Sequence, residues 1–193
     1  MFFGDMEAQQ WIPVRDWHPS GIPAAIRAVL GATGSLTRFI ERHYGLTLTV
    51  HLFDQFLDTP SPEEARLLDC AGQSPVLRRQ VALRNGARTM FDAESVLPLE
   101  GVSSELMARL EQGRLPLGNL LIDRGASLAR SDLSIARFAT RDGTRRWARR
   151  SIIKSGSGTR ALVVECFYDL FWRRIGCPPC APEEEGSGSS SGR

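Results

Sequence analysis

Two charged residues in this sequence stand where the pattern around them calls for apolar side chains. The first is Arg79. In Leu77-Arg78-Arg79-Gln80-Val81-Ala82-Leu83 the odd positions carry Leu77, Val81 and Leu83. Successive side chains of a strand face opposite ways, so Arg79 points to the apolar face while Arg78 and Gln80 point away. A guanidinium among buried side chains needs a carboxylate partner, from the protein or from a ligand. The second is Glu165, in Leu162-Val163-Val164-Glu165-Cys166-Phe167, where both faces are apolar. Burial raises a carboxyl pKa unless a cation or hydrogen bonds offset it, and such a group can exchange a proton near neutral pH. One reading is an internal ion pair in which Glu165 balances Arg79. The other is a site for a small planar acid, with Arg79 on its carboxylate, Glu165 on its hydroxyl and apolar walls about its ring. The pattern alone leaves both open.

The cysteines offer weaker chemistry. They stand at 70, 166, 177 and 180, and Cys177-Pro178-Pro179-Cys180 has CxxC spacing. No second pair or nearby histidine completes a zinc site, and a thioredoxin-type pair would follow a strand and open a helix. This one follows a helical stretch and enters a polar tail, so the spacing reads as fortuitous. No Gly-rich phosphate loop, HExxH or GxSxG motif is present.

The elements that must position Arg79 and Glu165 are legible from period and punctuation. Residues 1–20 read as an irregular lead-in. Pro23 to Leu30 suits a short helix ending at Gly31, and a second helix starts at Ser35 and stops before Gly45. Leu46, Leu48, Val50 and Leu52 then alternate with polar residues as a half-buried strand, broken by Asp58-Thr59-Pro60-Ser61-Pro62. Glu63 to Leu68 make a helical turn. Val76 to Leu83 and Arg88 to Leu97 are strands about Asn85-Gly86, two residues that tolerate positive φ. Ser103 to Gln112 is an amphipathic helix. Strands follow over Ser131 to Thr140, Arg146 to Lys154 and Arg160 to Phe167, and a helix closes the chain from about Tyr168 to Ile175. Hairpin-linked strands with helices at the start, middle and end predict an α+β domain on one antiparallel sheet.

Composition sets few limits. With 42% hydrophobic residues the chain can build a core, and a net charge of +2 argues for no particular partner. Lys154 is the only lysine, a bias that reflects base composition as readily as anion recognition. No apolar run approaches the roughly 18–20 residues of a membrane span, and no secretory signal opens the chain, so a cytoplasmic location is expected. The expected division is a single domain over residues 1–176 and a tail over 177–193, whose Gly/Ser-rich end cannot bury apolar surface and should be disordered.

Several stretches together resemble one family. Gly34-Ser35-Leu36-Thr37-Arg38 is similar to the S-M/L-T-K/R helix start of the chorismate pyruvate-lyases. Arg79-Gln80-Val81-Ala82-Leu83 with Asn85-Gly86 resembles that family's R-E-V/I-L-L strand and Gly turn, and Leu115-Pro116-Leu117-Gly118 its T-P-L-G element. Trp147-Ala148-Arg149-Arg150-Ser151 is similar to its W-x-R-R-S stretch, and Val164-Glu165-Cys166-Phe167 to its T-E-x-F strand. Order and approximate spacing agree from Gly34 to Phe167.

The resemblance implies an antiparallel sheet with a buried pocket under helical flaps. It implies cleavage of chorismate to 4-hydroxybenzoate and pyruvate without metal or organic cofactor. Arg79 would take the ring carboxylate, with Arg78 as its rival if the hairpin is gapped differently, and Glu165 would meet the ring hydroxyl. The backbone carbonyl of Leu36 and the backbone N–H of Leu117 would complete the contacts. The partner is then the small molecule, with neither nucleic acid nor membrane, and the protein a monomer or weak dimer.

Two departures stand out. Pro75, Val76 and Leu77 occupy the stretch where the family has a Trp, and Ala93-Glu94-Ser95 replaces an Ala/Gly-Arg-Ser/Thr sequence. The second is closer to a divergent branch that supplies 4-hydroxybenzoate to lipid or polyketide pathways. Glu94, sharing a face with Met90 and Asp92, reads as a surface charge rather than a second site residue. Arg150 either helps attract the dianionic substrate or covers the sheet edge. The competing readings are a same-fold enzyme acting on a polyketide-type substrate, and a sensing domain like the UTRA effector domains of transcription regulators. No DNA-binding winged helix precedes the domain, which argues against the latter.

Overall fold

Caps and turns set the element boundaries. The computed structural model describes residues 10–18, 20–100, 102–113, 115–121, 129–139, 144–156 and 158–177. A two-residue strand β1 (Ile12–Pro13) runs into a 3-10 turn, Val14–Asp16. Helix α1 (Ala24–Leu30) is followed by α2 (Leu36–Tyr44), which starts where the Ser35 side chain accepts the Arg38 N–H. It stops at Gly45, whose φ of 64° disfavours any side chain. Strand β2 (Thr49–Asp58) leads to α3 (Pro62–Leu68), begun by a capping box between Ser61 and Glu64. Gly86-Ala87, with Gly86 at φ 60°, turns β3 (Val76–Asn85) into β4 (Arg88–Pro98), so Asn85 ends the strand opposite Arg88 instead of entering the turn. Ser103 caps α4 (Ser104–Glu111), and Pro116 leads into a short α5 (Leu117–Leu120). Strands β5 (Ala129–Ala139), β6 (Arg145–Lys154) and β7 (Arg160–Phe167) precede α6 (Asp169–Arg174).

The strands form one antiparallel sheet in the order β1-β5-β6-β7-β4-β3-β2, the α+β architecture expected. Its two faces are covered unequally. On the face that carries Arg79, α1, α2 and α6 bury an apolar cluster with Val81, Leu83, Phe91 and Phe167. Beside it, α4 and α5 bury a second cluster with Leu77, Leu97, Ile153 and Val163. The opposite face receives α3, whose Leu68 packs with Val76, Val96, Ile152 and Leu162. Two separate cores on one sheet face leave a seam between them.

The sequence reading needs four further corrections. The lead-in is not wholly irregular, because Ile12 and Pro13 pair with Ile135 and Ser134 of β5, and Trp11 packs edge-on against Phe138. The first long strand begins at Thr49 rather than Leu46 and is bulged after Leu52, leaving Phe53 and Leu57 49% and 65% exposed. A second bulge, at Met90, buries that residue with Phe91 in the first core, so Met90 does not share a face with Asp92 and Glu94. Cys177, placed at the head of the tail, is buried in the first core and donates its N–H to the Trp172 carbonyl at 2.8 Å. Cys180 and residues 181–193 lie outside the described residues. Among the described residues no helix is long and apolar enough to cross a membrane.

Candidate active site

Arg79 sits on an interior strand, between β2 and β4, and only 2% of it is exposed. Its Nη2 donates to the carbonyls of Gly113 at 3.2 Å and Leu115 at 3.0 Å, which fastens the connection between α4 and α5 to the sheet. Its Nε is buried without a hydrogen-bond partner, and among the described residues no carboxylate pairs with it. Burial pushes its pKa down to about 10, so at neutral pH it remains a cation with no counter-charge.

Glu165 is 4% exposed and faces two guanidinia instead. Its neighbour across β6 is Arg149, whose side chain is wholly buried and whose Nε donates to Oε2 at 2.8 Å. Arg130 on β5 donates from Nη2 to Oε1 at 3.3 Å. Burial alone would raise this carboxyl's pKa, but Arg149 and Arg130 outweigh it and hold the group below the ordinary carboxylate range. The internal pair Arg79–Glu165 is therefore not formed. The acid is matched from the other side, and Arg79 is left over.

Both partners of Glu165 also hold the flap. Nη1 of Arg149 donates to the carbonyls of Val29 and Ala32 at 3.0 and 2.9 Å, at the end of α1. Nε of Arg130 donates to Gly34 at 2.8 Å, just before the Ser35 cap. Arg130 reaches this face because β5 is bulged. Ser131 pairs with Ile152 but Ser134 pairs with Arg150, three steps opposite two, and Asp132 takes a φ of 54°. The extra residue shifts the alternation, so Arg130 lies on the same face as Ile135, the partner of Arg149.

These groups line one cavity, at the seam between the two cores, of about 470 Å³ including its open mouth. Leu36, Arg79, Leu117 and Glu165, the four residues singled out in the sequence, all contribute to its wall, as does Arg130. Leu36 and Leu117 are the first residues of α2 and α5. An N–H in the first turn of a helix has no intrahelical acceptor, so that of Leu117 is available to a ligand. Ser35 Oγ and Asn119 Oδ1, 3.5 Å apart, link the two flaps across the seam. Val81, Phe91 and Val163 supply apolar wall. With Arg149 behind Glu165, three guanidinia face one carboxylate, an excess of two positive charges.

A family model described as "Chorismate lyase" matches residues 7–176. The chain belongs to the chorismate lyase family. "Probable chorismate pyruvate-lyase 1" of Pseudomonas entomophila is 33% identical over 154 residues, 74% of this chain and 82% of that protein. "Chorismate pyruvate-lyase" of Serratia proteamaculans is 32% identical over 166 residues, 81% and 87% of the two chains. Among solved structures, PhnF from Mycobacterium smegmatis matches 70% of this chain and 64% of its own at 14% identity, with a TM-score of 0.54. That likeness concerns the fold alone.

In this member of the chorismate lyase family, the other charges weighed in the sequence lie on the far face. Arg78 binds Asp58 at 2.9 Å, Glu64 at 2.9 Å and Glu94 at 2.8 Å, and these carboxylates raise its pKa further although burial opposes it. Glu94 also accepts from Gln80 at 2.9 Å. It is neither a pocket residue nor a loose surface charge. Arg150 pairs with Glu63 at 2.7 Å and stacks over Trp11. It belongs to the same far face, and Arg130 and Arg149 are the arginines that sequence reasoning passed over. Arg149 lies in the W-x-R-R-S stretch, and the strict alternation of β6 opposite Glu165 was the available signal. Arg130 gave none, because its face depends on the bulge.

Proposed function

We propose that this chain is a chorismate pyruvate-lyase, converting chorismate to 4-hydroxybenzoate and pyruvate. The observation that carries the reading is Arg79, a buried cation that lines an apolar cavity and has no carboxylate partner among the described residues, in the same wall as an ionised Glu165. Such a cation calls for an anionic ligand. The ring carboxylate binds Arg79 by a charge-assisted hydrogen bond from a nitrogen that the Gly113 and Leu115 carbonyls do not occupy. The ring lies between Val81, Phe91 and Val163, and its hydroxyl donates to Glu165. The Leu117 N–H and the Leu36 carbonyl take the remaining polar edges.

In the reaction the ether C–O bond to the ring breaks and its electron pair stays with the enolpyruvate oxygen. The hydrogen on the hydroxyl-bearing ring carbon leaves as a proton, and the ring becomes aromatic. Enolpyruvate takes up one proton to become pyruvate, so none is gained or lost overall. Arg149 and Arg130 keep Glu165 ionised, which makes it an acceptor rather than an acid. The pocket orients the ether, excludes water and lets aromatisation drive the step. Purified protein incubated with chorismate should release 4-hydroxybenzoate and pyruvate in equal amounts. Tight binding of chorismate without any product would instead place the chain with the ligand-sensing domains.

A further inference from the structure

Arg130 has capacity that its contacts with the described residues do not exhaust. Its side chain is 3% exposed and lines the cavity. Its three contacts, to Gly34, Ser151 and Glu165, use one N–H on each nitrogen. A guanidinium has five N–H groups, so one remains on each terminal nitrogen. Arg149 differs: it is spent on Glu165, Val29 and Ala32, and does not line the cavity. Glu165 already has its closest partner in Arg149 at 2.8 Å, against 3.3 Å to Arg130. The second positive charge in excess therefore lies on Arg130, at the Glu165 end of the pocket.

Arg79, which pairs with no carboxylate among the described residues, and Arg130, which shares Glu165 with Arg149, stand on well-separated strands. Arg79 is on β3 and Arg130 on β5, separated by β4, β7 and β6. Four strand spacings put their backbones about 19 Å apart, and Arg130 reaches across β6 to Glu165 on β7. A ligand with one carboxylate answers one of them only.

We infer that Arg130 forms a second carboxylate position, which receives the enolpyruvyl carboxylate of the substrate. The inference rests on the lyase reading above. With the ring carboxylate on Arg79 and the ring hydroxyl on Glu165, the neighbouring ether group falls at the Glu165 end, beside Arg130. Arg130 there donates its two remaining N–H groups to the leaving group, holding the ether as its C–O bond lengthens. The specificity that follows is for dianions carrying carboxylates at both ends. After cleavage each product carries a single carboxylate, so neither matches both cations.

The test compares ligands that differ only at this position and that cannot react. The dicarboxylate 3-(1-carboxyvinyloxy)-4-hydroxybenzoate, its side-chain methyl ester and 4-hydroxybenzoate are titrated against wild type, Arg130→Gln and Arg130→Lys. Wild type should prefer the dicarboxylate over the ester on the order of 10²-fold, the size expected of a desolvated charge contact. In Arg130→Gln that preference should collapse to within about threefold, over and above any loss that 4-hydroxybenzoate shares through Glu165. Arg130→Lys should retain part of it. If wild type does not distinguish diacid from ester, the inference is wrong whatever the variants do. Equal weakening of all three ligands in Arg130→Gln would also overturn it, leaving Arg130 to position Glu165 only. Turnover of chorismate by wild type is scored separately, so failure of the lyase reading is distinguishable from failure of the second position.

Discussion

Replacing Arg79 by leucine should separate two properties that usually fall together, stability and binding. In the unliganded protein Arg79 is 2% exposed, and burial lowers its pKa from 12.5 to about 10. One unit corresponds to about 1.4 kcal/mol, so holding the charged form disfavours folding on the order of 3 kcal/mol at neutral pH. That penalty is present while the group is charged and shrinks only as the pH rises past about 10. The substitution relieves it, while two carbonyls, of Gly113 and Leu115, lose a donor at about 1 kcal/mol each. The terms nearly offset, so the unliganded Tm should stay within a few degrees of wild type or rise. Binding behaves differently. The lost contact is a desolvated, charge-assisted one, with an expected loss of about 2–5 kcal/mol, or roughly 30- to several-thousand-fold in affinity. The assay is a thermal melt with and without 4-hydroxybenzoate, alongside a titration. Wild type should gain Tm with ligand and Arg79→Leu should not. A variant that loses many degrees and still binds 4-hydroxybenzoate like wild type would refute the assignment of Arg79 as an unmatched cation.

Glu165→Gln leaves Arg149 and Arg130 facing a neutral amide, so urea unfolding should show a loss of about 3–5 kcal/mol, and turnover should fall ~10²–10⁴-fold. The carboxyl's pKa is depressed in the folded protein, so its stabilising effect should be complete above its ordinary value of 4.5 and disappear as the pH falls through the lower folded value. An acid unfolding series of wild type against Glu165→Gln reads this directly, and identical acid limbs would count against it. Arg78→Ala breaks the far-face cluster with Asp58, Glu64 and Glu94, and should lower stability on the order of 2–3 kcal/mol, less than for a wholly buried pair because Arg78 keeps 14% exposure. Its affinity for 4-hydroxybenzoate should change by less than about twofold, and a larger loss would mean that the strand faces are assigned wrongly. Gly113→Ala sets a side chain at φ 67°, with its Cβ 2.8 Å from Leu52 Cδ2, and should lower stability by about 1–2 kcal/mol. Because the Gly113 carbonyl receives Arg79, ligand affinity should weaken several-fold, and unchanged affinity would show that this carbonyl does not position the guanidinium.

Much of the site was legible because its side chains violate the pattern of the strands that carry them. Arg79 betrays itself by parity, and Glu165 by apolar neighbours on both sides. The hairpin itself was expected, but its turn falls on Gly86-Ala87, and only that turn together with the bulge at Met90 sets Arg79 opposite Ser95; β7 runs over the residues expected. What escaped was non-local. Arg149 stands in a run with Arg145, Arg146 and Arg150 that reads as solvated until β6 is known to lie between β5 and β7. The pairing of Glu165 with Arg149 rather than Arg79 depends on which strand lies beside β7. β1 is two residues long and exists only through a partner more than a hundred positions away. α5 is a single turn, too short to show a helical period.

The bulge in β5 gives that strand something like a reading frame. Upstream of Asp132 the even position 130 lies on the cavity-bearing face and lines the cavity, whereas downstream it is the odd position 135 that lies on that face, in the first core. Removing one residue at the bulge would restore strict alternation through the strand. Ala129 and Ser131 would then turn inward and Arg130 outward, with every upstream residue chemically unchanged. Insertions and deletions here therefore act as substitutions at a distance. A comparison that scores identities would record one missing aspartate, while the pocket would record a missing guanidinium. For relatives of this chain, the number of residues between Arg130 and Ser134 is as informative about the cavity as which residues they are.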